Sequence, residues 1–348
     1  MSGRMLNNKN FYTDMKYPNF KVSVSCMTYN HAKFITDAMN GFTMQQTSFP
    51  FVCIIVDDAS TDGEQEVIRK YVDEYFDQSE HSVAYQKETA YAHITYAQHK
   101  TNKNCYFAVL YLKENHYSNP EKYKGKKDEY IKEWKDGVEF IAVCEGDDFW
   151  IDKCKIQKQV DFLENNLTYS VCSHRIKKYD QDFNVYYVDR LAPLFKDRAG
   201  VEYDNKTKVW LSETSSILFR RSCHEEFVNY PFDKRDSIHL YFLLKHSKGF
   251  CLSDVMSIYR QHKGGIYSKQ DLDTRLINGG YAALKRLYYY ERTADARFLY
   301  YRSYALTFLL TRGRILCKER FKMMKFLSLP YFVLSIISGI HPVYKKED

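Results

Sequence analysis

FVCIIVDDASTDGEQEV, residues 51–67, runs from six apolar positions into two aspartates, a small polar turn and then charged residues at helical spacing. A short apolar run rich in β-branched residues suits a strand buried on both faces of a sheet. It stops at Asp57 and Asp58. Thr61 and Glu64 then show the T-x-x-E spacing of a capping box, and Val67, Ile68 and Tyr71 continue a helix.

The same unit occurs twice more. KVSVSCMTYN (21–30) reads as a strand with a polar end, followed by a helix carrying Phe34, Ala38, Phe42 and Gln45 on one face. FIAVCEGDDFW (140–150) runs from an apolar strand into Glu145, Asp147 and Asp148, and Ile156, Val160 and Leu163 mark an amphipathic helix over 151–166. HSVAYQ (81–86) reads as a shorter strand, Asn104 to Lys113 as helical, and residues 114–136 as an exposed insertion. Strand and helix alternating in this way predict an α/β fold with a mostly parallel central sheet flanked by helices. Ligands of such sheets bind outside the carboxyl ends of the strands, where TYN, DD and EGDD all fall.

Composition narrows the class. The chain has 348 residues, 45% hydrophobic and 27% charged, which supports a packed core and excludes wholesale disorder. The net charge of +7 is spread along the chain and no nucleic-acid motif accompanies it. Nine cysteines lie scattered, several inside apolar runs, which favours a reducing compartment. The first twenty residues are polar, so no signal peptide is expected, and no run reaches the ~18–20 apolar residues of a bilayer span.

Three carboxylates within four residues repel one another and lose solvation near a core. An Asp at such a strand end has a plain reading as a turn or helix-capping residue. The other reading is a divalent-cation site, whose oxygen ligands would suit Mg²⁺ or Mn²⁺; no Cys/His cluster in the sequence suggests zinc. No GxGxxG or GxxxxGK[ST] loop is present, so a nucleotide would be held in another way.

TYN after the first strand, VDDASTDG after the second, and EGDDFW followed by a K-x-x-K-Q helix resemble an inverting family 2 glycosyltransferase of the GT-A (Rossmann-like) fold, of the bacterial surface-polysaccharide type. TSSILFRRS (214–222), RDSIHLYFLL (235–244) and VMSIYRQHKGGIYS (255–268) extend the likeness in order, so that it covers Lys21 to Ser268. The resemblance implies a nucleotide-sugar donor, with UDP-sugars favoured. Thr28, Tyr29 and Asn30 would line the nucleotide pocket, with Asp58 accepting from the base and Asp57 closing the strand end. Asp148 would contact Mn²⁺ or Mg²⁺, Asp147 would meet the ribose or donor sugar, and Asp236 would be the general base. A plain N-cap Asp is the alternative for Asp236, and Arg235 and Ser237 replace the flanking Gly and Trp common in relatives. His262 is a third ligand or diphosphate contact by resemblance, or a surface-loop His. Arg260 and Lys263 are phosphate candidates. Trp150 and Ser215 are candidates for the acceptor side, with a buried aromatic the commoner reading of Trp150.

The expected organisation is an N-terminal arm over 1–20, a GT-A domain over 21–270 and a helical region over 271–348. Within the last, FLSLPYFVLSIISGI (326–340) after KERFKMMK reads as an interfacial segment against an anionic membrane surface, with a packed helix hairpin or a homodimer interface as alternatives. The expected acceptor is a glycan or lipid-linked hydroxyl, on the cytoplasmic side and peripheral to the inner face of the cell membrane. The other functions considered are a sugar nucleotidyltransferase, whose Gly-rich basic loop TYNHAKF does not match, and a non-catalytic glycan-binding relative.

Overall fold

The computed structural model describes residues 17–189, 191–208, 211–232, 235–265 and 281–310. The N-terminal arm through residue 16 and the segment 326–340 lie outside the described residues.

The strand-acid-helix units fold as the sequence implies. β1 (Val22–Thr28) leads to α1 (Ile35–Thr43), and β2 (Phe51–Asp57) to α2 (Glu64–Tyr75). All seven residues of β2 are buried. After β3 (Phe76–Asp77) and β4 (Tyr85–Glu88) come β5 (Ala92–His99) and β6 (Cys105–Leu112). α3 (Lys126–Lys135) precedes β7 (Phe140–Val143), β8 (Phe149–Trp150) and α4 (Lys155–Asn165). β9 (Tyr169–Asp180), β10 (Val185–Tyr186), β11 (Gly200–Tyr203) and β12 (Leu218–Arg220) follow. α5 (Glu225–Asn229), α6 (Asp236–Leu243), β13 (Lys248–Gln261), α7 (Ala282–Glu291) and α8 (Ala294–Leu310) complete the described chain.

The sheet runs β11-β13-β9-β12-β7-β1-β2-β6-β5-β3. Its centre, β7-β1-β2-β6, is parallel, and β5 and β12 pair antiparallel on either side of it. One face of the centre, with Val24, Cys26, Cys53 and Ile55, packs on α1, α2 and α4 through Ala38, Phe42, Ile68 and Val160. Val52, Ile54, Val56 and Ile141 face the other way, in a layer with Ile131 and Trp134 of α3. Helices on both faces explain why β2 is apolar at successive positions.

Three expectations are corrected. Asn104–Lys113, expected as a helix, is strand β6. CYFAVLYL is a continuous apolar run that carries no period of its own, and the open edge of β2 gives all eight residues a fully buried slot. The Thr61/Glu64 capping box does not form: Gly63 takes the N-cap position with φ 89°, and Glu64 turns towards β1. In residues 114–136 the charged groups are mostly exposed, whereas Ile131 and Trp134 are buried, with Trp134 stacked on Tyr96. α7 and α8 pack on α5 and α6 through Phe227, Ile238, Leu287 and Tyr300. No helix among the described residues is long and apolar enough to cross a membrane.

Candidate active site

The parallel register sets Thr28 beside Asp57, and β7 runs alongside Val22–Ser25 of β1, so the polar ends open on one edge. The EGDD turn is pulled tight against β1. Cys144 N–H donates to the Ser25 carbonyl at 3.1 Å and Gly146 N–H to the Met27 carbonyl at 3.1 Å. A Cβ on Gly146 would sit 2.6 Å from Thr28 Cβ and closer still to its hydroxyl, so the motif requires glycine there.

The turn separates the three acids. Asp147 Oδ2 lies 3.2 Å from His262 Nε2 and 3.7 Å from His31 Nε2. His262 extends from the end of β13, its ring against Phe34 at 4.6 Å, and His31 belongs to the loop after β1. One ligand atom from each of His31, Asp147 and His262 fits within 4.8 Å of the others. Burial pushes the Asp147 carboxyl up, but the His262 hydrogen bond and the imidazole charges outweigh it and hold the group below the usual carboxylate range. Burial lowers His31, and Asp147 opposes that shift. A carboxylate between two imidazoles is a donor set that fits a divalent cation.

Asp148 lies elsewhere. It is 3% exposed, and its Oδ1 accepts the Arg260 backbone N–H at 2.9 Å, which ties the turn to β13. Burial and then the Asp147 charge push its carboxyl well above the usual range. Expected as the cation contact, it is placed as an internal brace. Glu145, unassigned from sequence, lines the cleft. Its side chain is exposed, yet the protein packed around it raises the carboxyl to about 8, with Asp147 and Asp236 adding to the shift.

Other expected contacts are engaged inside the protein. Both Asp58 oxygens accept backbone N–H groups, from His116 at 2.7 Å and Tyr117 at 3.0 Å, so Asp58 anchors the insertion and has no oxygen directed at a base. Asp57 Oδ1 accepts from Ser60 N–H and Gln65 Nε2, whereas its buried Oδ2 has no partner among the described residues. Arg260 is not a mobile phosphate ligand: its guanidinium lies between the Phe34 and Phe149 rings and donates to Asp37 at 2.6 Å and Gln181 at 3.1 Å. Trp150 and Ser215, expected on the acceptor side, are enclosed instead, with Trp150 Nε1 donating to the Ser215 carbonyl at 2.9 Å. The fully buried Lys155 ammonium stands 4.0 Å over the Trp150 ring and donates to Gln159 at 2.7 Å. Lys263 and Tyr29 stay exposed at the cleft mouth, and Asn30, at φ 58°, accepts Thr61 N–H at 2.8 Å.

Asp236 is the first residue of α6. Burial and then the Glu213 charge raise its carboxyl, with Arg235 opposing. Glu213 pairs with Lys178 at 3.2 Å, and the Lys178 ammonium lies 5.1 Å over the Tyr259 ring. Burial lifts the Tyr259 phenol, and Asp148, Glu213, Asp147 and Glu145 add to the shift, so this residue joins the two acidic groups. His31, Glu64, Glu213 and Tyr259 are the site residues that motif reading missed. Only His31 had a sequence signal, its place directly after TYN.

Residues 23–99 match the glycosyl transferase family 2 model. The uncharacterized proteins Rv1520 of Mycobacterium tuberculosis and Mb1547 of Mycobacterium bovis are 26% identical to the chain over 257 residues, 73% of this chain and 62% of their own length. The chain thus spans less than two thirds of those relatives. The crystal structure of S. aureus TarS 1–349 in complex with UDP-GlcNAc superposes with a TM-score of 0.56 at 16% identity, covering 89% of this chain and 78% of that one. The family 2 model thus matches this chain from β1 through β5, and the chain shares its GT-A fold with TarS.

Proposed function

We propose that the protein is a divalent-cation-dependent inverting glycosyltransferase that moves one sugar from a nucleoside-diphosphate sugar to a hydroxyl of a glycan or lipid-linked acceptor. The observation that carries this reading is the meeting of His31, Asp147 and His262 at the strand edge. Asp236 stands near enough to Glu145 for its charge to raise that carboxyl. A bound cation would neutralise charge developing on the diphosphate leaving group. The chain's own residues do the rest. Asp236 takes the proton of the attacking hydroxyl, and its raised carboxyl brings it nearer the operating pH than an exposed Asp. Thr28, Tyr29 and Asn30 border the nucleotide, with the unpartnered Asp57 Oδ2 the favoured acceptor for a base N–H. A UDP-sugar is favoured because TarS, of the same fold, was crystallised with UDP-GlcNAc.

The biological setting belongs to the same proposal: cell-surface polysaccharide synthesis at the cytoplasmic face of the membrane. The basic composition and the apolar segment 326–340 support it.

The test is a nucleotide-sugar screen by thermal shift and donor hydrolysis, with and without Mn²⁺, on wild type and Asp147→Asn. The expected result is Mn²⁺-dependent stabilisation by a UDP-sugar that the variant loses. Equal shifts in both proteins, or none in wild type with any nucleotide, would overturn the reading.

A further inference from the structure

Beside the cation cluster, Glu64 is fully buried and accepts from three donors. Thr28 Oγ1 donates to its Oε1, and His31 N–H and Ser60 Oγ each donate to Oε2 at 2.8 Å. Ser60 Oγ in turn accepts Asn30 N–H at 2.9 Å. The loop after β1 and the loop after β2 are thus knotted on one carboxylate. Helix capping does not account for this, because the Glu64 side chain points away from its own helix and its N–H goes to Asp62 at 3.2 Å.

The Thr28 hydroxyl is shared. It lies 3.2 Å from His31 Nδ1 as well as against Glu64. A hydroxyl has one proton and two lone pairs, and a carboxylate only accepts once ionised, which for Glu64, raised by burial to about 7, holds above that pH. With the Thr28 proton directed at Glu64, a lone pair faces Nδ1. That contact is a hydrogen bond only if Nδ1 carries the imidazole proton, which leaves Nε2 with its lone pair towards Asp147 Oδ2, 3.7 Å away. Metal-binding histidines are oriented in this way, one ring nitrogen hydrogen-bonded and the other ligating.

We propose that Glu64 is a positioning residue for the cation site: through the Thr28 hydroxyl it sets which His31 nitrogen is protonated, and so keeps Nε2 open to a divalent cation. The inference rests on the reading of His31, Asp147 and His262 as cation ligands. In Glu64→Gln the amide oxygen still serves His31 N–H and Ser60, so the amide NH₂ faces Thr28 and donates to it. The Thr28 proton then turns to Nδ1, and Nε2 becomes the protonated nitrogen.

Two readouts test this on the full chain. Nitrogen-15 NMR of the histidine rings in metal-free protein, with His31 assigned by a His31→Gln difference, reports the tautomer without any cation. Mn²⁺ titration followed by electron paramagnetic resonance reports affinity. Expected are an Nδ1-protonated His31 in wild type, the Nε2-protonated form in Glu64→Gln, and Mn²⁺ binding weaker by roughly 10–100-fold in Glu64→Gln and Thr28→Val. Thr28→Ser, which keeps the hydroxyl, restores both readouts. Metal-free melting curves separate a tautomer effect from misfolding. An Nε2-protonated His31 in wild type overturns the proposal. So does the expected tautomer with unchanged Mn²⁺ affinity in Glu64→Gln, which leaves the cation reading standing. A wild type that binds no Mn²⁺ overturns the cation reading and the positioning role with it.

Discussion

His262 Nε2 and Asp147 Oδ2 meet at 3.2 Å although 115 positions separate them in the chain. The end of β13 thereby closes on the EGDD turn. Asp147 and Asp148, adjacent in sequence, consequently divide the work: one faces the cleft and the other braces β13.

That division predicts opposite phenotypes. Asp147→Asn and His262→Ala should fold normally and lose Mn²⁺ binding. A cation supplies several kcal/mol of charge stabilisation, so transfer should fall by about 100-fold or more. Asp148→Ala should lower the melting temperature, because it leaves the buried Arg260 N–H unpaired. Circular dichroism melts alongside kcat separate the two cases.

The donor set also selects the ion. Two imidazole nitrogens and one carboxylate suit Mn²⁺ or Co²⁺ better than Mg²⁺, which prefers oxygen ligands throughout. After EDTA treatment, activity should return at lower concentrations of Mn²⁺ than of Mg²⁺, as read from titrations of the apo protein.

As the proposed base, Asp236 would act only when ionised, and its raised carboxyl would place the acid limb of kcat/KM above that of an ordinary Asp. Asp236→Asn should reduce kcat by about 10²–10⁴-fold with donor binding retained. Glu213→Gln removes a negative neighbour of Asp236. That change favours ionised Asp236, so the acid limb should move to lower pH. A limb that stays in place would remove Glu213 from the base's surroundings.

Gly146→Ala tests the tight approach of the turn to β1. The added methyl meets Thr28, part of a packed strand, and overpacking of this kind costs roughly 1–3 kcal/mol. Urea unfolding should show a lower midpoint with an unchanged slope.

Burial lowers Lys155 to about 7 from an ordinary 10.5. Between those values the unfolded chain holds a proton that the folded chain lacks. Stability should therefore rise with pH across that window, and the contribution of this residue should level off above it. Lys155→Met, close in volume and uncharged, should flatten the rise and match or exceed wild-type stability at pH 7. Denaturant midpoints across pH 6–10 decide it.

The central sheet was legible because β1, β2 and β7 each end in polar residues, and apolar runs bounded in this way have one interpretation. β6 was not, since CYFAVLYL suits a buried helix equally well and only the free edge of β2 selects the strand. In the site, residue types were legible and their orientation was not. Nothing in DD or EGDD tells which carboxylate a backbone N–H from residue 116 or residue 260 will claim. His31 and Glu64 escaped for the same reason: a lone histidine and a plausible cap gain meaning only when two loops close on each other.

The Asp58 clasp has an evolutionary consequence. It holds residues 116 and 117 by their peptide groups and not by their side chains, so the anchor is indifferent to what those side chains are. The insertion is therefore free to drift in sequence while staying moored beside the carboxyl edge of the sheet. Only proline at either position, lacking the N–H, would cast it loose. Such a mooring lets a lineage change the rim of that edge without rebuilding the sheet beneath.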